Sequence, residues 1–285
     1  MKERSLTVFS LLAQMAVGAF WTLGALYIWL ASQAGEGAAG ELTRSGWLFI
    51  SAAMVIGLVA SFFHLGAPAN AWRACSNVRQ SWLSREILFA ILFAGASIVF
   101  AAAQWLQFGA AAVRVMLGVI TGLVGLALIY VMGSAYRLRT VPAWNTWLTP
   151  VSFFVTTFLL GALAVGVLLA VPSQAPAGGM GAVLNVIALW AVALLGIELV
   201  IIPLWLAQLT GSEAAVHSAV RVTRQHGALF KMRLALAVAG LAATGAALVG
   251  APPRGLGMLV AFGLVLASEV LGRLLFYAAR VRHGV

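Results

Sequence analysis

Long apolar runs alternate with short polar breaks from one end of the chain to the other. In lipid, every backbone N–H has to be satisfied within its own segment, so a helix needs about 20 mostly apolar residues to cross a bilayer core of roughly 30 Å. Eight segments approach or exceed that length: Leu6–Ala31, Trp47–Phe63, Ile87–Trp105, Val113–Met132, Leu148–Ala170, Ala182–Trp205, Leu234–Leu248 and Leu256–Tyr277, with Leu234–Leu248 the shortest. The pattern predicts an all-α integral membrane protein, a bundle of eight transmembrane helices forming a single transmembrane domain over residues 1–285. The apolar run that follows Lys2 and Arg4 reaches Leu30, longer than the roughly 7–15-residue core of a signal peptide, and reads as the first span. Tryptophans 29, 47, 82, 105, 144, 147 and 205 fall near segment ends, where an amphipathic ring is favoured at headgroup level. No internal repeat and no second domain are visible.

Composition agrees with lipid as the solvent: 63% of residues are hydrophobic and 8% charged, far from the balance of a water-soluble domain. Seventeen Lys and Arg stand against seven acids, all of them Glu. In so apolar a protein that excess points to basic loops beside anionic lipid headgroups and not to nucleic acid. Eight spans put both termini on one face. Fourteen of the seventeen basic residues fall on that face, leaving only Arg44, Arg114 and Arg254 opposite, so the expected placement of the termini is cytoplasmic. The longer connections, 65–83, 133–147 and 206–229, lie on the same basic face. A single cysteine, Cys75, excludes a disulfide framework, a Cys-ligated iron–sulfur cluster and a Cys-rich zinc site.

Asp is absent, and the sequence holds no phosphate-binding or dinucleotide fingerprint and no Ser/His/Asp set. Of the four histidines, His64 ends a span, His217 and His226 lie in a connection and His283 in the tail. No two can face each other as axial ligands, so no haem and no metal is expected on this protein. The densest constellation is the stretch 61–87, SFFHLGAPANAWRACSNVRQSWLSREI. His64 closes an apolar run that Gly66 and Pro68 terminate, which puts an imidazole able to exchange protons at neutral pH near the membrane boundary. Glu86 opens the next span, where the helix N-terminus stabilises a carboxylate and burial favours the neutral acid. Both ends of the loop return to one face, so base and acid can flank a lipid-accessible pocket suited to a quinone, whose oxidation from quinol releases protons together with electrons. The alternative is structural, with His64 a capping residue and Arg73, Arg79 and Arg85 anchors for lipid headgroups. Glu198, within the sixth span and with no basic residue a turn away, is an intramembrane carboxyl and hence a functional candidate. Glu269 and Arg273, spaced i, i+4 on the last span, are expected to compensate each other. Glu213 and His217 share that spacing, and Cys75 is read as incidental.

At the HLGAP segment beginning at His64 the sequence resembles the membrane anchor subunit of dimethyl sulfoxide reductase and its respiratory relatives. Further matching segments follow in order: Ser84–Ile87, Thr140–Pro150 (TVPAWNTWLTP), Phe153–Phe154, Glu213–Val220 (EAAVHSAV), Gly227–Leu229 and Glu269–Tyr277 (EVLGRLLFY). The resemblance implies an eight-helix subunit of the bacterial inner membrane, without turnover of its own. It would anchor a molybdopterin catalytic subunit and a four-cluster, ferredoxin-like iron–sulfur subunit, and exchange electrons with menaquinone or ubiquinone as mobile substrate. Cofactors would then sit in the partners. The quinol-site histidine and acid of the family fall on His64 and Glu86, with Gly66, Pro68, Arg73, Arg79 and Trp82 completing the quinone-binding set; the sequence departs from the family pattern around Asn70 and Arg73. Because the family includes anchors for sulfite oxidation as well as oxyanion reduction, the resemblance leaves the direction of electron flow open. Two alternatives stand beside this reading: a polytopic transporter with Glu198 at its midplane, and a purely structural tether.

Overall fold

The computed structural model describes residues 2–62, 77–170, 177–250 and 254–281, and every regular element among them is helical. The first, α1 (Lys2–Phe62), has 61 residues, about three bilayer cores long at roughly 1.5 Å per residue. It does not run straight. Gly35 has φ 85° and ψ 162°, a region of backbone space that is in practice glycine's alone. Gly46 then lies against Leu23, and Gly57 against Phe9 and Leu12, so residues 2–34 and 36–62 pack antiparallel as two arms of a hairpin.

Single crossings follow as α2 (Trp82–Leu106), α3 (Ala111–Ala135), α4 (Leu148–Ala170) and α5 (Ala177–Thr210). The short α6 (Val216–Val220) leads into a π-helical turn, Arg221–Gln225, and α7 (Gly227–Leu248) and α8 (Arg254–Ala278) complete the bundle. Counting both arms of α1, eight apolar segments traverse the bundle among the described residues. Local chemistry sets several ends. Ser81 caps α2 by accepting the Ser84 backbone N–H at 3.2 Å. Gln107 in a left-handed conformation and Gly109 at φ 81° stop α2 before α3 begins.

Helix α4 is the central post, packed against α1, α3, α5 and α8. It is mostly apolar all round, as a helix surrounded by other helices should be, with Phe153, Leu159, Leu160, Leu163 and Val165 fully buried. Its crossing with α1 is closed by Gly18 and Gly161, where a Cβ on either glycine would run into the backbone of the other helix. Helices in lipid associate by this kind of close backbone approach, since burying apolar surface brings little advantage there. Outward-facing Ile91, Ile98, Val115, Val119, Val186, Leu189 and Val238 form the lipid-exposed surface.

Two expectations change. Trp47, Trp144 and Trp205 are buried against other helices, whereas Trp29, Trp82, Trp105 and Trp147 face outward. The inward rings have packing roles: Trp47 sits 5.2 Å from Phe20 and 4.9 Å from Phe100, the Trp144 indole donates to the Phe276 carbonyl at 2.7 Å, and Trp205 donates to the Ala143 carbonyl at 3.2 Å. The shortest predicted span also lengthens, because α7 starts at Gly227 and takes Lys231 and Arg233 into the helix. Arg233 is tolerated there because it turns inward onto an acid of another helix.

Candidate functional site

His64, Gly66, Pro68 and Arg73 fall in the stretch 63–76, outside the described residues. Arg79, Trp82 and Glu86 are described, and they part company. Arg79 is exposed. Its carbonyl and that of Val78 accept the Arg85 guanidinium at 2.7 and 2.8 Å, and that guanidinium lies 4.4 Å over the Trp82 ring. Arg85 therefore fastens the turn onto the start of α2. Trp82 stays on the outer surface, edge-on to Tyr130 at 6.2 Å. One helical turn on, Glu86 points inward and is 7% exposed.

Glu86 enters a polar cluster assembled from five crossings, and among the described residues none donates it a hydrogen bond. The positive charge acting on it is that of Arg273 of α8. Arg273 donates to Gln14 Oε1 at 2.6 Å and stacks 3.9 Å from the Phe153 ring, while Gln14 Nε2 donates to the Phe153 carbonyl at 2.7 Å. Tyr136 and Tyr277 share a hydroxyl–hydroxyl hydrogen bond of 2.9 Å, and Glu86 acts electrostatically on both. Burial first, and then the Tyr277 hydroxyl, hold the Tyr136 phenol, at the cap of α3, well above its ordinary range. It therefore remains a neutral hydroxyl able to donate and accept. Trp144, stacked on Phe276 at 5.2 Å and 13°, holds the 136–147 connection against the end of α8.

A second group of buried polar residues continues from Arg273 along α8. Thr156 donates to Glu269 Oε2 at 2.7 Å, and Arg233 forms an ion pair with Glu198 Oε1 at 2.9 Å. Glu198 and Glu269 contact each other through their carboxyls. Beside them is a cavity of about 60 Å³ whose lining includes Thr149, Ser152, Thr156, Arg233, Glu269 and Arg273. Glu269 and Arg273 act on each other electrostatically, as their spacing predicts, but their hydrogen bonds go to other helices, Glu269 accepting from Thr156 and Arg273 donating to Gln14. Partners on neighbouring helices can supply better hydrogen-bond geometry than two side chains stacked on one face. Glu198 likewise gains from α7 the cation that its own helix lacks.

Comparison with known proteins adds to this geometry. A profile of the DMSO reductase anchor subunit (DmsC) family matches residues 1–279. The protein belongs to that family. Among anchor-subunit relatives, the anaerobic dimethyl sulfoxide reductase chain YnfH of Escherichia coli K12 is 29% identical over 294 residues, covering 99% of this protein and 96% of its own length. A chain of the anaerobic dimethyl sulfoxide reductase of Haemophilus influenzae is 27% identical over 288 residues, at 99% and 96% coverage. A sulfite dehydrogenase subunit of Allochromatium vinosum is 34% identical over 152 residues, half of this protein and 45% of its own length.

For a DMSO reductase anchor subunit, a helical membrane bundle with little structure outside it is the architecture the role needs. Sequence reasoning did not single out Gln14, Tyr136, Thr156, Arg233 or Tyr277 as members of one polar cluster. Gln14 carried a signal, as the strongest hydrogen-bonding side chain inside the first apolar run. Tyr136, Arg233 and Tyr277 lie at or just beyond predicted span ends, and Thr156 reads as an ordinary hydroxyl inside the fifth span.

Proposed function

We propose that the protein is the membrane anchor and quinone-interacting subunit of a respiratory molybdopterin oxidoreductase, exchanging electrons between the quinone pool and an iron–sulfur partner. Family membership across residues 1–279 supports the anchor role. The observation carrying the quinone reading is Glu86: a buried carboxyl one turn into α2, immediately after the HLGAP-bearing connection, facing Arg273, Tyr136 and Tyr277. These groups suit a quinone oxygen, since the phenols donate or accept, the guanidinium favours developing negative charge, and Glu86 can carry a proton. His64 hydrogen-bonds one quinone oxygen and exchanges its proton, Glu86 passes that proton toward water, and Gly66 and Pro68 shape the turn. Arg73, Arg79 and Trp82 border the entrance at the membrane edge. The quinone supplies the two-electron chemistry, and electrons pass between it and the partner's clusters. Glu198, the carboxyl a transporter would need free at midplane, is engaged by Arg233 and Glu269, which favours the anchor over transport.

His64→Ala should leave the complex assembled and active with a soluble artificial dye, while quinone exchange falls by roughly 10²–10⁴-fold, the usual contribution of a positioned acid–base group. Glu86→Gln should slow turnover with less loss of inhibitor binding, because the amide keeps the shape without carrying the proton. Parental quinone exchange in the His64→Ala complex would overturn the assignment of the site to His64 and move the search to Glu198 and the Glu269–Arg273 face.

A further inference from the structure

Glu198 Oε2 and Glu269 Oε1 are both buried and have no hydrogen-bond donor among the described residues. Their companion oxygens are occupied, Glu198 Oε1 by Arg233 at 2.9 Å and Glu269 Oε2 by Thr156 at 2.7 Å. The two carboxyls nevertheless lie close enough to act on each other directly. Two carboxylates have no hydrogen to share and repel at that separation, whereas one proton between them satisfies both orphan oxygens at once.

The charged groups facing the pair are Arg233 from α7 and Arg273 from α8, with Glu86 of α2 acting on Arg273 from its other side. Thr156 of α4 is a neutral donor, and Gln14 of α1 takes a further Arg273 proton.

The polar cavity touches Glu269 and Arg233, and its remaining wall comes from the start of α4 and the ends of α5 and α8, all at the terminus-bearing face. At about 60 Å³, with the hydroxyls of Thr149, Ser152 and Thr156 on its lining, it can hold about one or two waters, each with polar partners. We infer that Glu198 and Glu269 form a proton-holding dyad inside the membrane, which exchanges its proton with water on the terminus-bearing face through this cavity. In an exchange, one O–H bond to a dyad oxygen breaks as another forms to a cavity water, and no electron moves. A use for this proton in quinone chemistry rests on the function proposed above; the dyad itself does not.

The test is infrared spectroscopy of the full-length protein in lipid nanodiscs, in H2O and in D2O. The parent protein should show a protonated-carboxyl C=O band that shifts in D2O. Glu198→Gln and Glu269→Gln should each abolish it, because both residues share one proton, and Glu86→Gln should leave it in place. Gln matches Glu in shape and can donate to the remaining carboxylate, so both variants should fold. Thr156→Val provides a check that leaves both acids intact: it removes the donor to Glu269, and the band should move without vanishing. Ser152→Leu, which fills the cavity, should keep the band and slow its shift in D2O. The His64→Ala variant should retain the band whether or not quinone exchange is lost, which separates this inference from the quinone reading. Absence of a D2O-sensitive band in the parent, its loss in only one of the two Gln variants, or a position unmoved by Thr156→Val would overturn the dyad.

Discussion

Arg273 connects the two polar groups of the bundle. Its guanidinium lies on the Phe153 ring, donates to Gln14 and is the largest opposing charge felt by Glu86. Removing one partner of a buried charged arrangement exposes the rest to an interior that cannot solvate them. Arg273→Met, close in length but neutral, should therefore lower stability by about 3–5 kcal/mol, the usual consequence of breaking such a set. Thermal unfolding in detergent measures this, and a change below about 1 kcal/mol, the range of an exposed ion pair, would show that the cluster is solvated. Adding Gln14→Leu should cost less in the Arg273→Met background than in the parent, because contacting residues are coupled by about 0.5–3 kcal/mol. Simple additivity of the two substitutions would count against the Gln14–Arg273 bond.

Helix pairing depends on a few glycines with a definite physical requirement. Gly35 reverses α1 at φ 85°, where a Cβ is strained even though nothing crowds the position. Gly35→Ala should cost about 1–3 kcal/mol, the usual penalty for such backbone strain, visible as a lowered melting temperature with the fold retained. Gly161 is different, since its missing side chain is what admits the α1 backbone. Gly161→Val has to separate α1 from α4, the central contact of the bundle, and should leave little folded protein in the membrane fraction. Recovery of Gly161→Val at parental levels with parental melting would mean that the two helices do not cross closely there.

At the scale of the molecule, both arms of α1 and the six further crossings put the connection at 171–176 on the face opposite the C-terminus. Reporter fusions after Gln174 and after Val285 should thus give opposite signals, whichever side each faces. Matching signals would require an even number of crossings between those points. The fourteen-to-three division of basic residues makes the cytoplasm the expected side for the C-terminal fusion.

The sequence by itself determined the solvent, the helical class and the segments that cross, because in lipid each segment has to satisfy its own backbone and be apolar along its whole length. Those are local requirements, and a single sequence displays them. Glu86 was legible for the same reason, as a carboxyl at the opening of a span. Which face of each helix points inward was not legible. In water the polar face of a helix marks the outside, but here lipid and protein interior are both apolar, so periodicity carries almost no direction. Hence Trp47 and Trp144 read as interfacial and proved buried against other helices, and the Glu269–Arg273 spacing gave no hint of their partners on other helices. Only the tertiary structure decided that Arg273 meets Gln14 from 259 residues away and that Glu198 meets Arg233 across 35. Those contacts form because each buried charge needs a partner and the packing of the apolar helices determines which ones come within reach.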